Sequence, residues 1–185
     1  MPDHPGLELR QIHDRTMVQL RVRPRDAEFA GTALGLPGRA LECREGDPAA
    51  AWLGPDQWLL ISDSTTPAEI GARVKQALAD KVHAATDMSS AYACYALRGP
   101  AARTVLAMGC GIDMHPGAFA AGQCVRTRFA DVPLLIVATE EHGFDLYIDR
   151  SLARYLNGWI EVASEEPITR DGHLSDSKDQ DEVTS

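Results

Sequence analysis

Residues 57–70, QWLLISDSTTPAEI, and residues 144–156, FDLYIDRSLARYL, share one plan: a short stretch dominated by large apolar residues, a polar break, then a helical pattern. Short apolar stretches bounded by turn residues read as largely buried strands. In the first segment, Thr66-Pro67-Ala68-Glu69 is a complete helix start. The Thr66 hydroxyl can accept the Glu69 N–H, the Glu69 carboxylate can accept the Thr66 N–H, and Pro67 sits where its missing N–H costs nothing. Ile70, Val74, Ala77 and Leu78 then recur on one face. In the second segment, Leu152, Tyr155, Leu156, Trp159 and Ile160 do the same along a helix predicted from Ser151 to Val162.

Working outward, each segment is preceded by the same succession. Before the first, Val18, Leu20 and Val22 alternate with Gln19, Arg21 and Arg23, which predicts a strand over Thr16–Arg23 with one buried face. A helix over Asp26–Leu34 follows, with Phe29, Ala30, Ala33 and Leu34 on one side and Gly35 placed to end it. A short strand near Ala40–Arg44, a turn at Gly54-Pro55-Asp56 and the strand Gln57–Ser62 complete the set. Before the second segment come a strand over Ala91–Arg98 and a helix opened by Gly99-Pro100, which carries Ala102, Val105 and Leu106 and is closed by Gly109. Strands at Gln123–Phe129, Pro133–Thr139 and Phe144–Asp149 follow. The pattern predicts an α+β fold of two pseudo-duplicated β-α-β-β-α halves, about 14–80 and 88–163, within a single globular domain over 1–164.

Residues 165–185 carry seven acidic and two basic side chains and few apolar ones. Such a segment cannot bury enough surface to offset its ordering entropy, so it is expected to form an acidic disordered tail. The tail accounts for about −5 of the formal charge of −9, at a pI near 5.1, leaving the body about −4. Neither part has the concentrated Lys and Arg that a nucleic acid requires. Cys43, Cys94, Cys110 and Cys124 form no C-x-x-C pair, as expected for reduced thiols in a cytosolic protein. The opening MPDHPGLELR lacks the apolar stretch of a signal peptide, and the apolar run Val132–Ala138 is too short to span a bilayer. The expected localisation is cytoplasmic, with no membrane or nucleic-acid partner.

Tests for chemistry end without a complete site. Gly109-Cys110-Gly111 begins like a dinucleotide fingerprint, but Met114 stands at the third glycine and a helix, not a strand, precedes it. Cys110, Asp113 and His115 lack the second ligand pair of a closed zinc site; Cys124 and His142 are isolated. Ser89-Ser90 lacks the glycine frame of a nucleophile elbow. Cys94 falls inside a predicted strand with no activating base at hand. No catalytic, cofactor-binding or metal residue is therefore assigned. Arg21 with Arg23, and Arg126 with Arg128 in what reads as the corresponding strand of the second half, form two pairs opposite apolar faces. They fit either ordinary solvated surface or contact with an acidic partner.

The stretch LRGPAARTVLAMGCGIDMHPGAFAAGQCVRTRFADVPLLI, Leu97–Ile136, resembles the γ-subunit family of heterotetrameric sarcosine oxidase. It carries a G-P-x-A-x-x-V-L segment (Gly99, Pro100, Ala102, Val105, Leu106), then G-C-x-x-D-x-H-P-x-x-F (Gly109, Cys110, Asp113, His115, Pro116, Phe119), then G-x-C-x-x-T (Gly122, Cys124, Thr127). LGPDQWLLI and FDLYIDRSLARYLNGWI resemble the family's first-half strand and closing elements. The resemblance implies the fold of the aminomethyltransferase folate-binding domain. It implies α, β and δ partner subunits that oxidatively demethylate sarcosine to glycine, with FAD, FMN, NAD and tetrahydrofolate on those partners and none on this chain. The γ chain then serves assembly, and Gly99, Pro100, Gly109, Cys110, Asp113, His115 and Pro116 shape a turn rather than a catalytic site. The equivalent subunit of an N-methylglutamate dehydrogenase-type complex and a stand-alone folate-binding module are the alternatives.

Overall fold

The computed structural model describes residues 6–165. The acidic segment from Glu166 onward lies outside them. Among the described residues, ten strands form two antiparallel five-stranded sheets. The first contains β2 (Thr16–Val22), β3 (Cys43–Arg44), β4 (Ala49–Gly54), β5 (Gln57–Ser62) and β6 (His83–Asp87), in the order β3-β4-β5-β2-β6. The second contains β1 (Glu8–Ile12), β7 (Tyr92–Arg98), β8 (Cys124–Phe129), β9 (Val132–Glu140) and β10 (Gly143–Asp149), in the order β1-β7-β10-β9-β8. Helices α1 (Ala27–Leu34) and α2 (Pro67–Ala77) cover the first sheet; α3 (Ala102–Gly109) and α4 (Ala153–Glu165) cover the second.

Period-2 alternation divides the apolar residues among three layers of core. From the first sheet, Val18, Leu20, Trp58 and Leu60 pack under Ala30, Ile70 and Val74 of the helices. From the second, Leu97, Ile136, Phe144, Leu146 and Ile148 pack under Val105, Leu106, Leu156 and Ile160. The opposite faces of the two sheets meet through Met17, Ala51, Leu59, Ile61, Cys94, Cys124, Leu135 and Tyr147. A strand buried on both faces reads as a continuous apolar run, which is why QWLLIS lacks alternation. The result is a four-layer helix-sheet-sheet-helix stack.

Read from opposite ends, the sheets match strand for strand: β3-β4-β5-β2 corresponds to β8-β9-β10-β7. The predicted duplication is present, with β4 added to the first half. Two further strands have no counterpart in the sequence reading. β1, just before β2 in the chain, pairs with β7 of the other sheet; β6, just before β7, pairs with β2. Each half thus lends its leading strand to the other. The correspondence also corrects the expected equivalence of the two arginine strands: the partner of β2 is β7, whereas Arg126 and Arg128 lie on the outer strand β8.

Local signals hold with some revisions. The capping box at α2 is complete: the Thr66 side chain accepts from Glu69 N at 3.3 Å, and Glu69 Oε2 accepts from Thr66 N at 2.9 Å. Thr66→Ala should lower stability by about 1 kcal/mol, read as a shifted urea midpoint with unchanged slope. Gly35 ends α1 in the left-handed conformation. Phe29 and Tyr155, expected inward, are exposed; Phe29 lies under the Lys81 ammonium, 5.0 Å from the ring centre. Ala33 is exposed as well, so Ala30 and Leu34 carry the inner face of α1. The last helix is a 3-10 turn over Arg150–Leu152 that continues as α4. No helix among the described residues is long and apolar enough to cross a membrane.

Candidate functional site

Asp145 is the most deeply placed acidic side chain of the sandwich, 6% exposed. It stands on β10 between Phe144 and Leu146, whose side chains face the helices, so its own faces the first sheet. Two guanidinium groups hold it. Arg15 Nη1 donates to Asp145 Oδ2 and Arg98 Nη2 donates to Asp145 Oδ1, each at 2.6 Å. Arg15 also makes a bidentate pair with Asp63, at 2.7 and 3.0 Å, and donates to the Tyr147 hydroxyl at 2.9 Å. Arg98 reaches the Phe144 carbonyl and approaches Glu140 at 3.6 Å. Arg15 enters from the β1–β2 connection, where Asp14 turns the chain at φ 60°. The cluster therefore joins the connection into β2, the end of β5, β7 and β10.

Burial and charge fix the protonation states here. Burial works against the Arg15 charge, but the Asp63 hydrogen bond, Tyr147 and Asp145 outweigh it and hold its pKa above the ordinary value. Burial pushes Tyr147 well up and Cys94 up to about 12. A cavity of about 340 Å³ opens beside the cluster, lined by Arg15, Cys43, Asp47, Ser62, Thr139 and Asp145 among others. The Asp47 carboxylate is engaged by the Ser62 and Ser64 hydroxyls, which lower its pKa. Arg15, Asp63 and Asp145 on this wall are bound to one another, and that arrangement suits a fixed polar brace between the two sheets.

The motif turn lies on the far side of the second sheet, under α3. Gly99 adopts φ 109°, and a Cβ there would lie 2.4 Å from the Gly6 carbonyl oxygen. The Ala101 N–H donates to that same oxygen at 3.0 Å, and Pro100 packs on Gly6. Gly109 does not take the left-handed conformation expected of a helix-closing glycine. It is required because a Cβ would lie 2.5 Å from the Phe129 ring, which is buried and stacked edge-on against Trp159. Cys110 forms a single antiparallel bridge with Phe129. Asp113 Oδ1 accepts the His115 N–H at 2.8 Å, and His115 Nδ1 accepts the Gly117 N–H at 3.1 Å. These local bonds, with Pro116 between them, drive Met114 and Phe119 into the core.

Arg103, in the gap of the G-P-x-A-x-x-V-L segment, has no place in the sequence reading. Its guanidinium donates to the carbonyls of Met114, Phe119 and Glu141 and lies 5.0 Å from the Phe144 ring centre. A lone arginine on a helical face gives no signal of this, because its partners are backbone carbonyls.

The arginine pairs remain exposed. Arg21 has Asp56 at 3.7 Å and Arg128 has Asp131 at 3.8 Å. Both are surface contacts of little energetic weight. Arg126 borders a second, smaller cavity with Leu53, Tyr92, Pro133 and Asp149. The pairs sit at non-equivalent places, one inside its sheet and one at an outer strand.

The sequence model described as the sarcosine oxidase, gamma subunit family matches residues 26–166, most of the chain. The chain belongs to the sarcosine oxidase γ-subunit family. Sarcosine oxidase subunit gamma of Corynebacterium sp. (strain P-1) is 33% identical over 161 residues, covering 83% of this chain and 78% of the relative. The subunit of that name from Arthrobacter sp. is 32% identical over 143 residues, covering 74% and 69%. Among solved structures, a chain of the heterotetrameric sarcosine oxidase from Corynebacterium sp. U-96, in complex with pyrrole 2-carboxylate, superposes with a TM-score of 0.78 at 27% identity. That match covers 89% of this chain and 86% of the other. The glycine cleavage system aminomethyltransferase T from Bartonella henselae matches at TM-score 0.62 and 16% identity, over 84% of this chain and 45% of that one. The second likeness bears on the fold, and agrees with the expected aminomethyltransferase-like architecture of the family.

Proposed function

We propose that this chain is the non-catalytic γ subunit of a cytoplasmic heterotetrameric sarcosine oxidase-type complex. The complex oxidatively demethylates sarcosine to glycine and passes the one-carbon unit to tetrahydrofolate. FAD, FMN, NAD and tetrahydrofolate belong to the α, β and δ partners, and this subunit supports their assembly. The observation that carries the reading is the superposition on a chain of a heterotetrameric sarcosine oxidase across nearly the full described length of both. The motif turn fits a structural role, since its polar groups are spent on its own backbone. In this reading the exposed pairs Arg21–Arg23 and Arg126–Arg128 face acidic surfaces of the partners.

Affinity purification of the tagged chain from its native cell tests this. The expected product is a complex with flavin absorbance that turns over sarcosine. Recovery of the chain alone at native expression overturns the subunit reading, and turnover of N-methylglutamate instead of sarcosine overturns the substrate. Charge reversal at Arg21 and Arg23, or at Arg126 and Arg128, should reduce the recovered partner several-fold. It should leave the melting temperature of the free subunit unchanged, because these side chains are exposed.

A further inference from the structure

Cys43 and Cys124 occupy equivalent places in the two halves. Each opens the outer strand of its sheet: Cys43 opens β3, paired with Ala51 of β4, and Cys124 opens β8, paired with Val137 of β9. The two outer strands touch. Glu42 and Gln123 form a single antiparallel bridge, and the Cys124 N–H donates to the Leu41 carbonyl at 3.1 Å. The Cys124 sulfur lies 3.1 Å from the Glu42 carbonyl oxygen, on the peptide group that leads into Cys43. All four cysteines are free thiols.

The two thiols differ in access. Cys124 is fully buried in the layer between the sheets. Cys43 is half-buried and lines the 340 Å³ cavity beside the ion cluster. That space is roughly ten times the volume a water molecule occupies in the liquid, so the cavity has room for a molecule the size of hydrogen peroxide beside Cys43.

We propose that Cys43 and Cys124 form a peroxide-reactive dithiol, with Cys43 the attacking thiol and Cys124 the resolving one. In the first step the Cys43 sulfur attacks one peroxide oxygen and the O–O bond breaks. The products are Cys43 sulfenic acid and one water. In the second, the Cys124 sulfur attacks the sulfenic sulfur, the S–O bond breaks, and the disulfide forms with release of a second water. Two thiols lose two electrons and two protons, and one hydrogen peroxide becomes two waters.

The thiol acidities run in the same direction. The neighbouring Cys124 thiol, as a hydrogen-bond donor, lowers the Cys43 pKa against the opposing effect of burial. Its S–H lies against the Glu42 carbonyl at 3.1 Å and the Trp52 carbonyl at 3.8 Å, and it can turn to the thiolate when Cys43 ionises. The thiolate is the nucleophile, and a lowered pKa raises its fraction at neutral pH. Burial pushes Cys110 up to about 11 and Cys94 up to about 12, which makes both poor competitors.

The test treats the full chain, free and in its purified complex, with hydrogen peroxide. It then blocks remaining thiols under denaturing conditions and identifies the cysteine peptides by mass spectrometry. The expected result is a peptide pair linked through Cys43 and Cys124, two of the four thiols lost, and full recovery with dithiothreitol. Cys124→Ser should stop at a sulfenic acid on Cys43 that dimedone traps, and Cys43→Ser should leave Cys124 reduced. The wild-type peptide map decides the matter even if a variant folds poorly. Four intact thiols at peroxide levels that oxidise free cysteine overturn the proposal. So does oxidation of Cys94 or Cys110 at an equal rate, or linkage between chains instead of within one. The outcome is independent of the subunit reading.

Discussion

In urea titrations of the full chain, Asp145→Ala lowers the unfolding free energy by about 3 kcal/mol, the low end of the range for removing one member of a buried ion pair. The reason is what stays behind. The Arg15 side chain is 13% exposed and cannot turn to water without leaving the interface between the sheets. Its Nη1 would keep only Tyr147 and the Cys94 sulfur, neither of them charged. Arg98, at 30% exposed with Glu140 nearby, can relax outward, which holds the loss at the lower end. Asp63→Ala gives the internal comparison. That carboxylate also binds Arg15, in a bidentate pair, but its side chain is 69% exposed, and exposed pairs contribute about 1 kcal/mol or less. Tryptophan fluorescence reads both variants. A loss for Asp145→Ala no larger than for Asp63→Ala would show that the cluster does not brace the sheets.

Gly99→Ala should produce a loss of similar size, about 3 kcal/mol or more. A side chain at φ 109° costs about 1–3 kcal/mol, and forcing an atom into a closed contact adds about 1–3 kcal/mol. The contact is closed because the new Cβ would meet the backbone of Gly6, at 2.4 Å from its oxygen and 2.9 Å from its carbon. Gly6 leads directly into β1, so relief of the clash pulls that strand from its register against β7. Gly122→Ala separates the two contributions. Gly122 also has a positive φ, 79°, but nothing lies within 4 Å of its would-be Cβ, so only the backbone cost applies. Thermal unfolding compares the pair, and hydrogen exchange of the β1 amides localises the damage. Equal losses in the two variants would remove the steric argument.

Some of this structure is plain in the sequence and some is not, for physical reasons. The segments QWLLISDSTTPAEI and FDLYIDRSLARYL are legible because strand and helix are each amphipathic or fully buried and each carries its own start signal. The strands β1 and β6 are not. ELRQI and HAATD bury little, and their extended form comes from the neighbour they pair with across the molecule. Asp145 reads as the outward face of an ordinary strand until a second sheet covers that face. Its partner Arg15 is 130 residues away in the chain. The role of Gly109 is hidden in the same way, since Phe129 comes into contact with it only after α3 and β8 pack. The motif turn was legible as a turn because Asp113 and His115 bond within four residues of themselves.

The exchange of leading strands also imposes a sequence of events during synthesis. Every strand of the first sheet lies between Thr16 and Asp87, so that sheet can close before β7 has been made. β1 precedes all of them, yet among the described residues its one partner strand is β7, and it must stay unpaired while about 80 residues emerge, a loop whose closure penalty grows only slowly with length. Glu8, Arg10 and Gln11 suit that wait, because a short, polar edge discourages pairing with other nascent chains. When β1 finally docks, it ties the segment ahead of the first sheet to the later half, once that half has been made.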